Sequence, residues 1–358
     1  MFDTFRNILA FIVDIGVLIF IHELGHYLAA RSQGVTVETF SIGFGPALLK
    51  RTAKSGTVWQ ISALPLGGYV KMQGWGDDEK TTTPAPGSFA GATLSSKAII
   101  VAAGPLANLG LAVLLFAGLF MTAGEPSAPP VFGSIVANSA AAAAHLQAGD
   151  RVIAVGSTQI HDFSDLQDII TANPDSLLDF TIGRAGKEFT ESVKIGHASA
   201  DGAIIGRLGV QASTVFTRLA PLPALVAAVQ QTGDVISSWG THMGALIFQH
   251  KGLADLTGPI GIAEVSGQVA ALGIASTVSL VAFLSINLGL VNLIPIPILD
   301  GGHLLFYAIE AVTRRKLPEQ ARDVGLRFGL ALIASLVLVT TFNDLSRLGA
   351  VAWLAHLL

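Results

Sequence analysis

Cysteine is absent from the 358 residues. That excludes disulfides, thiolate metal sites and a cysteine nucleophile together, and leaves His, Asp and Glu to hold any transition metal. Charge is scarce as well. Asp, Glu, Lys and Arg make up 13% of the chain, where a soluble domain carries roughly 25%. With 51% hydrophobic residues and a mean hydropathy of +0.61, much of the chain is suited to a bilayer as solvent. The formal net charge of -4 comes without a basic patch, which argues against a nucleic-acid partner. No internal repeat is evident.

What is present begins with long apolar runs. Crossing about 30 Å of hydrocarbon takes about 20 helical residues. Stretches 8–30, 97–125 and 264–300 reach that length, and a weaker one covers 324–342. The first carries Asp14, His22, Glu23 and His26, too many ionisable groups for a cleaved signal peptide, and is expected as a retained helix. About four transmembrane helices are therefore expected. Lys and Arg between the first two spans (Arg31, Lys50, Arg51, Lys54, Lys71, Lys80, Lys97) and in the short last connection (Arg314, Arg315, Lys316, Arg322) place both connections in the cytoplasm. Both termini and the segment 125–264 then lie outside.

That external segment divides in two. Short β-rich runs at 152–155 and 180–182, turn signals such as Ala148-Gly149-Asp150, and amphipathic helical stretches at 140–147 and 162–172 predict a small soluble α+β domain. Beyond it, Leu222, Leu225, Val229, Ile236, Trp239 and Met243 recur at helical spacing. Asp234 and His242 favour an interfacial or domain-packed amphipathic helix, with a fifth span as the alternative. The expected domains are 1–125, 126–211, 212–264 and 265–358. The apolar, Gly-rich segments Ser41-Ile42-Gly43-Phe44-Gly45-Pro46 and Leu66-Gly67-Gly68-Tyr69-Val70-Lys71 predict membrane-associated strands or hairpins, and 77–88 reads as a polar loop.

The chemistry sits in the first span. His22-Glu23-Leu24-Gly25-His26 has the HExxH pattern. Residues four apart on an α-helix lie about 40° apart around its axis on neighbouring turns, so both imidazoles can bond one Zn²⁺ at about 2.0–2.1 Å. Glu23 can then act on the attacking water as general base and on the leaving amine as acid. Such side chains are costly in a membrane-length segment, and a functional site is the default reading. A catalytic zinc needs a third protein ligand, and Asp300 is the best candidate, with His303 as a rival. Pro295 and Pro297 remove backbone donors and disfavour helix before them, so the chain leading to Asp300 is expected to be partly unwound. Asp300 could also act as a helix N-cap.

Gly43-Phe44-Gly45 could offer a strand edge to an extended peptide, with an ordinary tight turn as the alternative. Asp14 could border a water path or pair with a polar group on another helix. His145, His161, His197, His242, His250 and His356 have no partner at ligand spacing and are read as surface or structural.

These motifs together resemble the site-2 protease family of intramembrane zinc metalloproteases, and within it the bacterial regulator-of-sigma-E protease branch. The resemblance is carried by HExxH in the first span and by Asn292-Leu293-Ile294-Pro295 with Leu299-Asp300-Gly301 in a later one. Leu64-Pro65-Leu66-Gly67-Gly68-Tyr69, Ala103-Gly104-Pro105-Leu106-Ala107-Asn108 and Gly258-Pro259-Ile260-Gly261-Ile262 add to it. It implies His22, His26 and Asp300 as ligands of one Zn²⁺, Glu23 as the catalytic residue, and Asn292 as a residue that helps hold the substrate strand. It implies a polytopic α-helical membrane protein with an inserted PDZ domain in the periplasm, one PDZ module where the best-known members carry two, and Gly206-Arg207-Leu208-Gly209-Val210 as its carboxylate loop. The location implied is the bacterial inner membrane, with the active site toward the cytoplasm. The expected substrates are single-span membrane proteins already trimmed by another protease, such as an anti-sigma factor, or remnant signal peptides, with peptide C-termini bound at the PDZ domain. Two other functions fit parts of the pattern: a catalytically idle membrane PDZ scaffold, and a metal transporter.

Overall fold

A computed structural model describes residues 2–75, 85–200, 203–249 and 257–347. Lys80, His250, His356, most of the polar stretch at 77–88 and the end of the last expected domain lie outside the described residues. The chain forms two compact units, one of Met1–Leu119 with Pro221–Leu358, the other of Phe120–Ala220.

The chain opens with α1 (Phe2–Ser32), β1 (Val37–Thr52), β2 (Val58–Met72) and α2 (Leu94–Thr122). There follow β3 (Glu125–Ser127), β4 (Phe132–Ile135), α3 (Ala140–Ala143), β5 (Arg151–Val155), β6 (Thr158–Gln159) and α4 (Phe163–Ala172). Strands β7 (Leu177–Arg184), β8 (Lys187–Lys194), β9 (Gly196–Ala200), β10 (Ala203–Arg207), β11 (Val210–Ala212) and β12 (Val215–Thr217) complete the second unit. The first resumes with α5 (Pro221–Gln249), α6 (Pro259–Ala271), α7 (Ile274–Leu293), α8 (Asp300–Thr313) and α9 (Glu319–Arg347).

Among the described residues, four helices are long and apolar enough to cross a membrane: α1, α2, α7 and α9. The expected third span at 264–300 is shorter than its apolar run. Gly273, at φ +111°, separates α6 from α7, and the Pro-rich segment ends α7 at Leu293. Glu264 therefore belongs to a separate helix. The α6 N-terminus, whose first amides have no intrahelical acceptor, is met by Asp344 of α9: its carboxylate accepts from the Gly258 and Gly261 N–H groups at 3.1 and 3.0 Å.

Helix α5 covers the expected amphipathic stretch. Near its start Leu222, Leu225 and Val229 are exposed while Ala224, Ala228 and Thr232 are buried, and further on Ile236, Trp239 and Met243 are half-buried. Small residues let helix backbones approach closely, and the alanines form the packed side of this part of α5.

The β1–β2 sheet is more folded than two hairpin arms. Residues 39–42 of β1 are flanked on one side by 68–71 and on the other by 58–61, while Leu49–Thr52 pair with 58–61 from beyond. The four segments thus lie in the order 47–52, 58–62, 37–42, 68–72. Gly43 and Gly45 both have φ +87°, and Phe44 is already paired with Leu64. Of the two alternatives for Gly43–Gly45, strand edge or tight turn, the backbone takes the turn, because two left-handed glycines bend the chain between 37–42 and 47–52. The edge strand closest to α1 is 68–72, which pairs with no other strand among the described residues. Ala30, Val37, Met72, Phe89, Ile100, Val101 and Tyr307 form a buried cluster that joins this sheet to α1, α2 and α8.

The unit Phe120–Ala220 has its own core of Phe132, Val152, Leu166, Phe180, Ile182, Val193 and Leu208. A four-stranded sheet in the order β6-β5-β7-β8 is joined by the pairs β9/β10, β4/β11 and β3/β12. Ser139 caps α3, and Asp162 with Asp165 forms a capping box on α4. Asp150, almost fully buried, accepts two hydrogen bonds from Arg184 (2.6 and 2.7 Å) and one from the Gln147 N–H. Burial alone would push its carboxyl up, but these donors hold it below the ordinary value.

Candidate metal centre

The site is assembled where α1, α2 and the start of α8 meet. His22 and His26 stand one turn apart on α1, with their Nε2 atoms 3.2 Å apart. Asp300 Oδ2 lies 3.1 Å from His22 Nε2 and 3.5 Å from His26 Nε2. The three potential ligand atoms all fall within 4.8 Å of one another, the only such group of His, Cys, Asp or Glu among the described residues.

Local sequence explains how Asp300 arrives. After Leu293 the chain leaves the helix, and two short turns, Ile296 N–H to Ile294 O (2.7 Å) and Leu299 N–H to Ile296 O (2.8 Å), carry it to α8. Gly301 and Gly302 let the first turn of α8 press on this segment, since a Cβ on either would overlap the carbonyl of Leu293 or of Ile296. The N-cap of α8 is Leu299, and Asp300 is the first helical residue. Its carboxylate is spent on the histidines, so the capping alternative does not hold.

Helix α2 supports the imidazoles from behind. His26 Nδ1 lies 2.9 Å from the Ile100 carbonyl oxygen, a pure acceptor, so Nδ1 carries the hydrogen and Nε2 keeps its lone pair. One turn on, Gly104 leaves the space that His26 fills, because a Cβ there would overlap Nε2. One turn further, Asn108 faces His22 Nδ1 at 3.4 Å. Gly25 of α1 lies against the backbone of Ala103, which sets the close approach of the two helices.

Glu23 is buried beside His22, and Gly68 of the edge strand lies against its Cγ, where a Cβ would stand 3.0 Å away. Asn292 is half-buried in the last turn of α7. His303 is not in the ligand group: its ring packs edge-on against Trp75 and Phe306. Asp14 is buried in α1, and its Oδ2 has no hydrogen-bond partner among the described residues. Phe44 stacks on Tyr69, centroids 6.1 Å apart, and covers Gly67.

The residues present fit a zinc ion. Two imidazole nitrogens and a carboxylate oxygen are a donor set zinc favours, and three protein ligands leave a position open. Asp300 Oδ2 is buried with no hydrogen-bond donor. The Nε2 lone pair of His26 and the Asp300 carboxylate face each other at 3.5 Å, two electron-rich groups that a cation between them would hold together.

A His, His, Asp set with an adjacent buried glutamate, its two histidines on a helix long enough to span a bilayer, defines the class: a membrane-embedded metalloprotease. The sequence matches Peptidase family M50 over residues 10–336, and the chain belongs to that family, the site-2 proteases. It is similar to a protein of Agrobacterium fabrum named as a "putative zinc metalloprotease", at 39% identity covering 95% of this chain and 96% of the relative. A protein of the same description from Rickettsia conorii is 36% identical over 96% of this chain and 99% of its own. Metalloprotease MmpA of Caulobacter vibrioides is 33% identical over 93% and 94%. The chain is a zinc metalloprotease and a membrane protein.

Three contributors were not singled out as site residues by spacing alone. The Ile100 carbonyl leaves no mark in a sequence, since any residue carries one. Gly104 and Asn108 stand with Ile100 at intervals of four along α2, and that periodicity beside a proline, Pro105, is the signal that could have found them.

Proposed function

We propose that this protein cuts single-span membrane proteins within their membrane segments, with one zinc held by His22, His26 and Asp300 and with Glu23 as the catalytic acid and base. The observation that carries the reading is the position of the ligand cluster: two of its members lie inside α1, a helix of membrane-crossing length. When bound, zinc supplies Lewis-acid activation of the attacking water and of the scissile carbonyl. Glu23, one residue from His22, accepts the proton of that water and returns it to the leaving nitrogen. Burial of Glu23 keeps bulk water from competing for its proton.

A peptide bond inside a helix is protected by its own hydrogen-bond ladder, and opening it in lipid strands groups at several kcal/mol each. The chain's own candidates for replacement partners are the Asn292 amide and the sheet beside Glu23. Within that sheet, Gly43-Phe44-Gly45 folds Phe44 over Gly67, and this bend supports the 68–72 edge, the segment we assign to pairing with an extended substrate.

The Lys and Arg bias of the two cytoplasmic connections supports an inner-membrane protein with the active site toward the cytoplasm and the unit Phe120–Ala220 in the periplasm. The antiparallel sheet and two helices of that unit support a PDZ-type module binding peptide C-termini. Gly206 is pressed against the Ile170 carbonyl, so a peptide lying between α4 and β10 requires these elements to part. Substrates trimmed beforehand by another protease, anti-sigma factors or remnant signal peptides among them, suit a site that admits one short span. Mass spectrometry of products from a panel of single-span proteins in vesicles tests the reading. New termini inside the hydrophobic segment support it, and cleavage confined to the flanking loops sinks it.

A further inference from the structure

The two histidines are backed by different groups. His26 Nδ1 meets a carbonyl oxygen, so its tautomer is set. His22 Nδ1 meets the side chain of Asn108, which is fully buried and can either donate or accept. With Nδ2 toward His22, at 3.4 Å, the amide donates to Nδ1. The imidazole hydrogen is then forced onto Nε2, the atom that faces His26 and Asp300, and Asn108 Oδ1 is left buried without a partner. A half-turn of the amide exchanges its nitrogen and oxygen, which differ little in shape. Oδ1 then accepts from Nδ1–H, and Nε2 of His22 presents a lone pair to the same point as Nε2 of His26.

Asn108 is also held in place. Its backbone carbonyl accepts a hydrogen bond from Ser285 Oγ of α7 at 2.8 Å, a buried tie between the two membrane-length helices. Ile100, Gly104 and Asn108 follow one another at single turns, so one face of α2 serves both imidazoles: an acceptor for His26, space for its ring, and an acceptor for His22.

We propose that Asn108 is a positioning residue of the metal centre, its Oδ1 accepting the Nδ1–H of His22 and so directing the Nε2 lone pair toward the ion. The inference rests on the reading of His22 as a zinc ligand. Partners of this kind fix ring orientation and raise ligand basicity, and their loss typically costs 10–100-fold in metal affinity.

The test is zinc affinity of the purified full-length protein, measured by chelator competition for wild type, Asn108→Asp, Asn108→Leu and His22→Ala. Asp offers only acceptors when ionised, as the turned amide does toward His22, whereas Leu fills the space and offers nothing. The expected result is an affinity loss of about 10–100-fold in Asn108→Leu and near wild-type affinity in Asn108→Asp, with zinc lost in His22→Ala. Equal losses in the Asp and Leu variants, or wild-type affinity in the Leu variant, would overturn the proposal. Zinc retained by His22→Ala would overturn the ligand reading on which it stands. Nitrogen-15 histidine NMR of the zinc-loaded wild type gives a readout that needs no variant to fold: a protonated Nδ1 on His22 is expected, and a bare one contradicts the assignment.

Discussion

Asp300 Oδ2 lies 3.1 Å from His22 Nε2, although the two residues belong to helices near opposite ends of the chain. Helix α1 supplies the paired imidazoles by its own 3.6-residue geometry. The carboxylate arrives only because α7 stops at Leu293 and the proline segment redirects the chain. The proposed shared cation would hold these converging groups together.

Purified protein should hold about one zinc ion per chain. His22→Ala, His26→Ala and Asp300→Ala should each lose it, and His303→Ala, whose ring packs on Trp75 and Phe306, should retain it. Chelation should also lower the thermal midpoint, since a ligand present at 100 times its Kd stabilises the native state by about 2.7 kcal/mol. Elemental analysis and calorimetry of the four variants check this, and full occupancy in Asp300→Ala would move the third ligand elsewhere.

Gly104→Ala should weaken zinc binding although the residue carries no ligand. The added methyl overlaps His26 Nε2, and overpacking of this kind costs about 1–3 kcal/mol, equivalent to roughly 5–150-fold in affinity. Gly110→Ala on the same helix, where a Cβ meets nothing within 4 Å, is the control. Equal zinc affinity in the two variants would show that the space behind His26 is not needed.

Stability of the unit Phe120–Ala220 should depend on pH through Asp150. Its folded carboxyl lies below the ordinary value near 3.8, so the folded form binds its proton less readily than the unfolded chain. The stabilisation is therefore present above the unfolded value and is lost as pH falls through the folded one. Acid titration of the full chain, followed by protection of the Arg151–Val155 strand in hydrogen exchange, should show this loss at low pH. Asp150→Asn should flatten it, and an unchanged profile in that variant would assign the acid sensitivity to another group.

Much of the metal centre was legible because its parts have local signatures. The HExxH spacing needs only a helix, and Pro295 with Pro297 announces a break before Asp300. The remainder depends on contacts between distant elements. No local pattern distinguishes the Leu272–Gly273 break from a longer apolar run, because Gly273 is tolerated within helices and only its positive φ ends one. The alternatives at Gly43–Gly45 stay open in the sequence because an edge strand and a bend share the same residues, and which one forms depends on Leu64 pairing with Phe44 from another segment. In α5 the helical periodicity is legible, but which face packs is not, because Ala224 and Ala228 are buried while Leu222, Leu225 and Val229 are exposed. Asp344 was overlooked because its role, capping α6, appears only once α9 lies beside Gly258.

Substrate presentation gives a prediction that separates binding from chemistry. Asn292→Ala, or Phe44→Pro at the bend over Gly67, should leave zinc in place and slow cleavage of a stable helical span. Substrates with glycine near the cut should be less affected, since Gly costs a helix about 1 kcal/mol relative to Ala and the span then opens more easily. Cleavage rates on a paired set of Leu-rich and Gly-containing substrates measure the effect. Wild-type rates on the Leu-rich span in both variants would place the source of unwinding elsewhere in the chain.

The most direct measurement compares wild type with Glu23→Gln, both reconstituted in vesicles with the same single-span substrate, with zinc content and cleavage rate determined on the same samples. Gln keeps the shape of the side chain but cannot accept the proton, and general acid–base groups contribute about 10²–10⁴-fold. Zinc content equal to wild type, with cleavage lower by that factor or more, is the predicted result. Cleavage by Glu23→Gln at the wild-type rate, with zinc in place, would contradict the account.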